Sequence, residues 1–230
     1  MNVQDYLDGQ IVQIDKPLGW TSFQVVNKVR WLIRKQFDLK KIKVGHAGTL
    51  DPLATGLLIL CTGKFTKKID TYQAQHKEYT GTITLGGTTP SYDLETEIDQ
   101  TFDFSDISSE MIHATTTQFI GEIEQQPPIF SALKKDGKRL YEFARSGEAV
   151  EIPTRTIQIS TFEITKINLP NVDFRVACGK GTYIRSLAYD FGKALNNGGH
   201  LSALLRTKIG DFTVEDAISI EDFEKSLKES

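Results

Sequence analysis

Strand-like and helix-like segments follow one another in this chain without a repeating β-α-β order, and that irregularity excludes most architectures. From Glu78 to Leu85 apolar and polar residues alternate, with Tyr79, Gly81, Ile83 and Leu85 against Thr80, Thr82 and Thr84, the signature of a half-buried strand. Leu57 to Cys61 is apolar throughout, as a buried strand would be. Further strands are expected at Ile11 to Ile14, Arg155 to Ile167, Val172 to Cys178 and His200 to Ile209. Between them Thr21-x-x-Gln24 matches a capping box and opens a helical pattern through Val25, Val26, Val29, Leu32 and Ile33. Other helices are expected over Phe65 to Tyr72, Ser109 to Phe119, from Gly181 to about Leu195, and in the acidic C-terminal stretch. Hairpin-like strand pairs mixed with helices predict an α+β fold, a mixed, largely antiparallel sheet flanked by helices. Residues 1–230 are read as a single domain. Within it, 121–150 is a basic, polar excursion holding a short helix, Leu140 to Arg145, stopped by Gly147.

Bulk properties narrow the class of protein. Hydrophobic residues make up 39% and charged residues 25%, enough to build a core and unlike a disordered chain. No apolar run approaches the roughly 20 residues that span a bilayer. Met1 to Gln10 carries Asp5 and Asp8 and lacks a basic start, so it does not read as a signal peptide. Cys61 and Cys178 each end an apolar run and read as buried thiols, which suits a reducing cytoplasm. His46, His76, His113 and His200 are scattered, and no metal-ligand spacing is present. A cytoplasmic location and no metal site are expected, and the chain is read as a monomer.

The net charge of −3 speaks against a polyanionic partner only until its distribution is considered. Lys28, Arg30, Arg34, Lys35, Lys40, Lys41 and Lys43 are opposed by Asp38 alone, and Lys134, Lys135, Lys138, Arg139 and Arg145 by Asp136 and Glu142. The acids concentrate at Asp93 to Asp106 and Glu215 to Glu229. A polyanion responds to the local face and not to the sum, although each cluster alone also fits a solvated helix face.

Three stretches offer chemistry. Gly45-His46-Ala47-Gly48-Thr49-Leu50-Asp51-Pro52-Leu53-Ala54-Thr55-Gly56 places one carboxylate in a glycine-rich loop before a buried strand. Such a loop admits close approach of a ligand, but Asp51 also fits the start of a turn before Pro52. Tyr79, at the head of its strand, is either a core aromatic or a platform for a base. Cys178-Gly179-Lys180-Gly181-Thr182-Tyr183-Ile184-Arg185 leads into a helix, where free N–H groups can hold an anion. It lacks the third glycine of a dinucleotide fingerprint, and Gly63-Lys64 lacks the spacing of a P-loop. Arg185 is placed to pair with a carboxylate.

Taken together, Asp15-Lys16-Pro17-x-Gly19-x-Thr21-Ser22, the Gly45-to-Gly56 loop, Lys77-x-Tyr79, Tyr141-Glu142-x-Ala144-Arg145 and Gly179-to-Arg185 resemble the bacterial tRNA pseudouridine synthase B (TruB) family in content and order, over about residues 11 to 212. The resemblance implies the pseudouridine synthase fold, a thumb-like insertion at 121–150, and isomerisation of the T-loop uridine at position 55 of tRNA without cofactor. It implies that Asp51 is the catalytic aspartate, that Tyr79 stacks on the target base, and that Arg185 pairs with the aspartate. Tyr183 and Leu204 would line the uracil pocket, and His46 would fill the space the flipped uridine leaves. Lys67, Lys134, Lys138, Arg139, Arg145 and Arg206 would face the RNA backbone. Two departures stand out. No RNA-binding PUA domain follows Gly210, and Leu205 and Pro90 stand where the family pattern has an arginine and an aspartate.

Overall fold

A computed structural model describes residues 2–131, 133–135 and 137–229. Along the chain come helix α1 (Val3–Asp8), strand β1 (Ile11–Lys16), helix α2 (Ser22–Gln36), strands β2 (Val44–His46) and β3 (Ala54–Thr62), a 3-10 turn at Gly63–Lys68, and helix α3 (Ile69–Ala74). Strand β4 (Lys77–Leu85) precedes the short strands β5 (Gly87–Thr88) and β6 (Gln100–Thr101), helix α4 (Ser109–Thr116) and strand β7 (Gly121–Gln125). The hairpin of β8 (Lys134–Lys135) and β9 (Lys138–Arg139) leads into α5 (Leu140–Ser146). Strands β10 (Arg155–Asn168) and β11 (Asn171–Cys178), helix α6 (Ile184–Ala194), strands β12 (Gly199–Ile209) and β13 (Phe212–Thr213), and helix α7 (Ile220–Lys228) complete the order. Two compact units result, Met1–Tyr79 with Leu204–Ser230, and Thr80–Ala203. The boundaries fall inside β4 and β12.

In the first unit β3 is central. It runs antiparallel to β1, from Ile11 against Cys61 to Lys16 against Gly56, and parallel to β12, from Leu204 against Ala54 to Arg206 against Gly56. Its continuous apolar run is explained by burial on both faces. Leu58 and Leu60 pack with Val25, Val29 and Ile33 of α2 and with Ile220, Phe223 and Leu227 of α7. Leu57, Ile59 and Cys61 pack on the other side with Ala47 and Ile209. Each such side chain contributes about 1.5–3 kcal/mol by leaving water. Helix α2 begins where its sequence says: the Thr21 hydroxyl accepts from the Gln24 N–H and the Gln24 side chain accepts from the Thr21 N–H.

In the second unit β10 pairs antiparallel with β11 and β7. Its core is an aromatic cluster, in which Phe162 meets Phe119, Phe174 and Phe191 edge-on at centroid separations of 5.4–6.1 Å, a favoured arrangement of ring quadrupoles. Gly147, left-handed at φ 69°, ends α5. The expected excursion, 121–150, opens on a strand. Gly121–Gln125 is a sheet strand paired with Arg155–Ile159, so the chain leaves the sheet after Gln125. Ala132 and Asp136 of this segment lie outside the described residues. Among the described residues no helix is long and apolar enough to cross a membrane.

Candidate active site

The loop carrying Asp51 spans the turn between β2 and β3 in the first unit, and its backbone is held at several points by the Asp15-to-Ser22 segment and by Arg206. The Ser22 hydroxyl donates to the Leu50 carbonyl (3.0 Å) and accepts from the Leu50 N–H (2.8 Å). The Gly19 N–H donates to the Pro52 carbonyl at 2.8 Å. Lys16, fully buried, donates from Nζ to the carbonyls of Pro17, Trp20 and Pro52. Arg206 donates from Nε to Leu57 (2.8 Å) and from a terminal nitrogen to Gly48 (3.1 Å). Residues on both sides of Asp51 are thereby fixed, and Asp51 itself is half-buried. Gly56 permits the close crossing of β3 on β12: a Cβ there would lie 2.5 Å from the Arg206 carbonyl oxygen.

Electrostatics around the loop are dominated by buried cations. Burial pulls Lys16 down to about 8, with Asp51 favouring its charged form and Arg206 opposing it. Lys16 therefore keeps its proton at neutral pH and places positive charge near Asp51. Burial, and then the Arg206 charge, lower the pKa of His46, which keeps the imidazole neutral. The Nδ1 atom of His46 is buried and has no hydrogen-bond partner among the described residues. Leu204 is half-buried and lies beside Ala54 in the β12–β3 register, so Asp51 and Leu204 meet at the start of β3, whereas His46 is set opposite Leu60 farther along the strand. Tyr79 is buried at the start of the alternating strand. Lys77 donates to the carbonyls of Gln73 and Gln75 at the end of α3.

Tyr183 and Arg185 belong to the second unit. The Gln125 side chain grips the backbone of Tyr183 twice, accepting from its N–H (2.8 Å) and donating to its carbonyl (3.0 Å). Arg185 is 4% exposed. It donates to the carbonyls of Ser91 (3.1 Å) and Phe130 (2.9 Å), and its Nε lies 3.6 Å from a carboxylate oxygen of buried Asp93. The sequence expectation pairs Arg185 with Asp51. These residues fall in different units, and within its own unit Arg185 holds Asp93.

The expected RNA-facing residues divide. Lys67, Lys134, Lys138, Arg139 and Arg145 are exposed. Arg139 and Arg145 flank the ring of Tyr141 at 5.8 and 5.3 Å, and Lys138 is ion-paired with Glu148 at 3.0 Å. Arg206 corrects the expectation: at 1% exposure, with its guanidinium spent on backbone carbonyls, it is a structural pin of the Asp51 loop and not a phosphate contact. Part of the α2 basic cluster is also structural, since Arg30 donates to the Val44 carbonyl and Arg34 to that of Leu39. Sequence reasoning missed the Ser22 clasp and the Gln125 grip. Both are contacts between distant segments, with no local pattern to announce them beyond a polar residue in a buried setting. Among the described residues no group of three His, Cys, Asp or Glu is placed to hold a metal ion.

Comparison with known proteins places this arrangement among others. Residues 34–184 match the TruB family pseudouridylate synthase (N terminal domain), and residues 185–230 match the tRNA pseudouridylate synthase B C-terminal domain. A tRNA pseudouridine synthase B of Flavobacterium johnsoniae is 64% identical over 99% of this chain and 100% of the relative. Another, of Phocaeicola vulgatus, is 53% identical over 97% and 95%. Among solved structures, a chain of a Cbf5-Nop10-Gar1 complex superposes with a TM-score of 0.73 at 31% identity, covering 98% of this chain and 56% of that one.

Proposed function

The chain belongs to the TruB family of pseudouridylate synthases, and we propose that it isomerises a uridine of tRNA to pseudouridine, with the T-loop uridine at position 55 as the target and Asp51 as the catalytic group. The reaction breaks the bond from ribose C1′ to uracil N1, turns the base, and joins C1′ to C5. Nothing is oxidised or hydrolysed overall, so the chemistry needs a placed carboxylate and a flipped base. Asp51 acts by attacking the base or the ribose, or by taking a proton from the sugar.

One observation carries the reading: Asp51 stands in a loop whose neighbouring backbone groups are tied by Lys16, Gly19, Ser22 and Arg206. Immobilising the group before the substrate arrives removes reorganisation from the barrier. Base flipping costs a few kcal/mol. In the proposal, stacking on Tyr79 and entry of the neutral His46 ring into the vacated place offset that cost. Leu204 and Tyr183 contribute apolar surface to the uracil, and Arg185 belongs to the same catalytic set. The T-arm stem-loop is held through the exposed basic residues.

The test uses a T-arm transcript carrying tritium at uridine C5, from which isomerisation releases label. Wild type should release it, whereas Asp51→Asn should lose turnover by about a thousandfold or more and still bind the transcript. Substantial turnover by the Asn variant would remove Asp51 from its role, and binding without release by wild type would make the protein a binder and not an enzyme.

A further inference from the structure

Arg155 sits where the chain re-enters the sheet after its excursion, directly opposite Gln125, where it leaves. Its guanidinium lies over the Tyr183 ring, 4.6 Å from the centroid, and donates to the carbonyl of Gly181. Gln125 holds the Tyr183 backbone from the other strand. The Gly181–Tyr183 turn is therefore gripped by both stems of the excursion, one taking the ring and one the main chain. Further bonds tighten the stems: Gln126 Nε2 donates to the Ile152 carbonyl (2.8 Å), and the Ser186 hydroxyl of α6 donates to the Gln126 carbonyl (2.7 Å). The Nε of Arg155 is buried without a hydrogen-bond partner among the described residues. An arginine placed only for fold stability would not leave a buried donor unmet.

We propose that Arg155 is a positioning residue that sets the plane of the Tyr183 ring and, with Gln125, ties the two strands flanking the excursion to the surface that Tyr183 offers the substrate. The inference rests on the reading of Tyr183 as a uracil-lining residue. A guanidinium stacked on a phenol ring resists its rotation through cation–π attraction, and its planar fork makes the Gly181 bond that fixes the arginine itself. Loss of the grip leaves the basic residues of the excursion intact, so RNA affinity is retained while the ring wanders from its working position.

Arg155→Met keeps the length of the side chain and removes charge and donors, and Arg155→Lys keeps charge without the fork. Both are compared with wild type by label release, transcript binding and thermal melting, in the native and in the Tyr183→Ala background. The Met variant should lose about 100-fold in kcat with KM changed by less than about threefold. The Lys variant should recover part of that loss. In the Tyr183→Ala background the same Met substitution should add less than about threefold, because its target is gone. An equal loss in both backgrounds, or a raised KM at unchanged kcat, overturns the proposal, the second marking a phosphate contact. If the Met variant does not fold, the Lys variant in the two backgrounds decides by the same comparison. Absence of release by wild type itself would sink the functional reading, and is distinguishable from a wild type that turns over beside an indifferent Arg155.

Discussion

At the scale of single residues, Ser22 shows how much a small side chain can do for the loop that carries Asp51. Its hydroxyl satisfies both main-chain groups of Leu50 in a buried position, next in sequence to Asp51. Ser22→Ala should cost about 1–3 kcal/mol in thermal or denaturant unfolding, the penalty for buried groups left unpaired. It should also lower label release with little change in transcript affinity. An Ala variant as stable and as active as wild type would mean that the loop holds its shape without the clasp. Arg206 is the complementary case, a charge that reads as a phosphate contact until its burial is known. Its sequence neighbours, Leu204 and Leu205, carry no sign of the distinction, because exposure of a β12 side chain is set by what β3 places against it.

At the scale of elements, the crossing of β3 and β12 and the packing of α6 each expose a testable cost. Gly56 has φ +96° and no room for a methyl group, the nearest obstacle being the main chain of β12. Gly56→Ala should destabilise the fold by roughly 2–4 kcal/mol through strain and overpacking, read as a lowered unfolding midpoint. In α6, burial pushes the Asp190 carboxyl up to about 6, with Lys193 working against the shift. The folded state then holds its proton through a pH range, from about 4 to 6, in which the unfolded chain has released it. This group's contribution therefore becomes less favourable as pH rises through that window, and the cost is fully present above it. Asp190→Asn should raise stability by about 1–2 kcal/mol at pH 8, after allowing for solvent screening of a half-buried group. That gain should vanish at about pH 4, and melting curves of the two proteins across this range provide the comparison.

At the scale of the whole molecule, a chain of net charge −3 is expected to bind a polyanion through local basic surface. Affinity for the T-arm transcript should fall as salt rises, linearly on logarithmic axes. Removing Lys134 or Arg145, which the proposal sets against phosphates, should reduce the slope by about 1. An Arg206→Met variant should lose stability and keep the slope, since that guanidinium faces carbonyls. A slope indifferent to Lys134 and Arg145 would move the RNA surface elsewhere. The family was legible at this scale from its motifs, and residues 34–184 and 185–230 match models of that family.

By itself the sequence determined what depends on near neighbours. The Thr21–Gln24 box started α2, the unbroken run at Leu57–Cys61 made β3 a two-sided core strand, and Gly147 ended α5. The glycine-rich loop marked Asp51 as a candidate. Tertiary structure alone decided the partners: Ser22 for Leu50, Arg206 for Gly48 and Leu57, Gln125 and Arg155 for Tyr183. The reason is physical. Periodicity and capping are written in residues a turn or a pleat apart, whereas these contacts join groups as far as 158 positions apart, brought together only when strand register and burial are fixed.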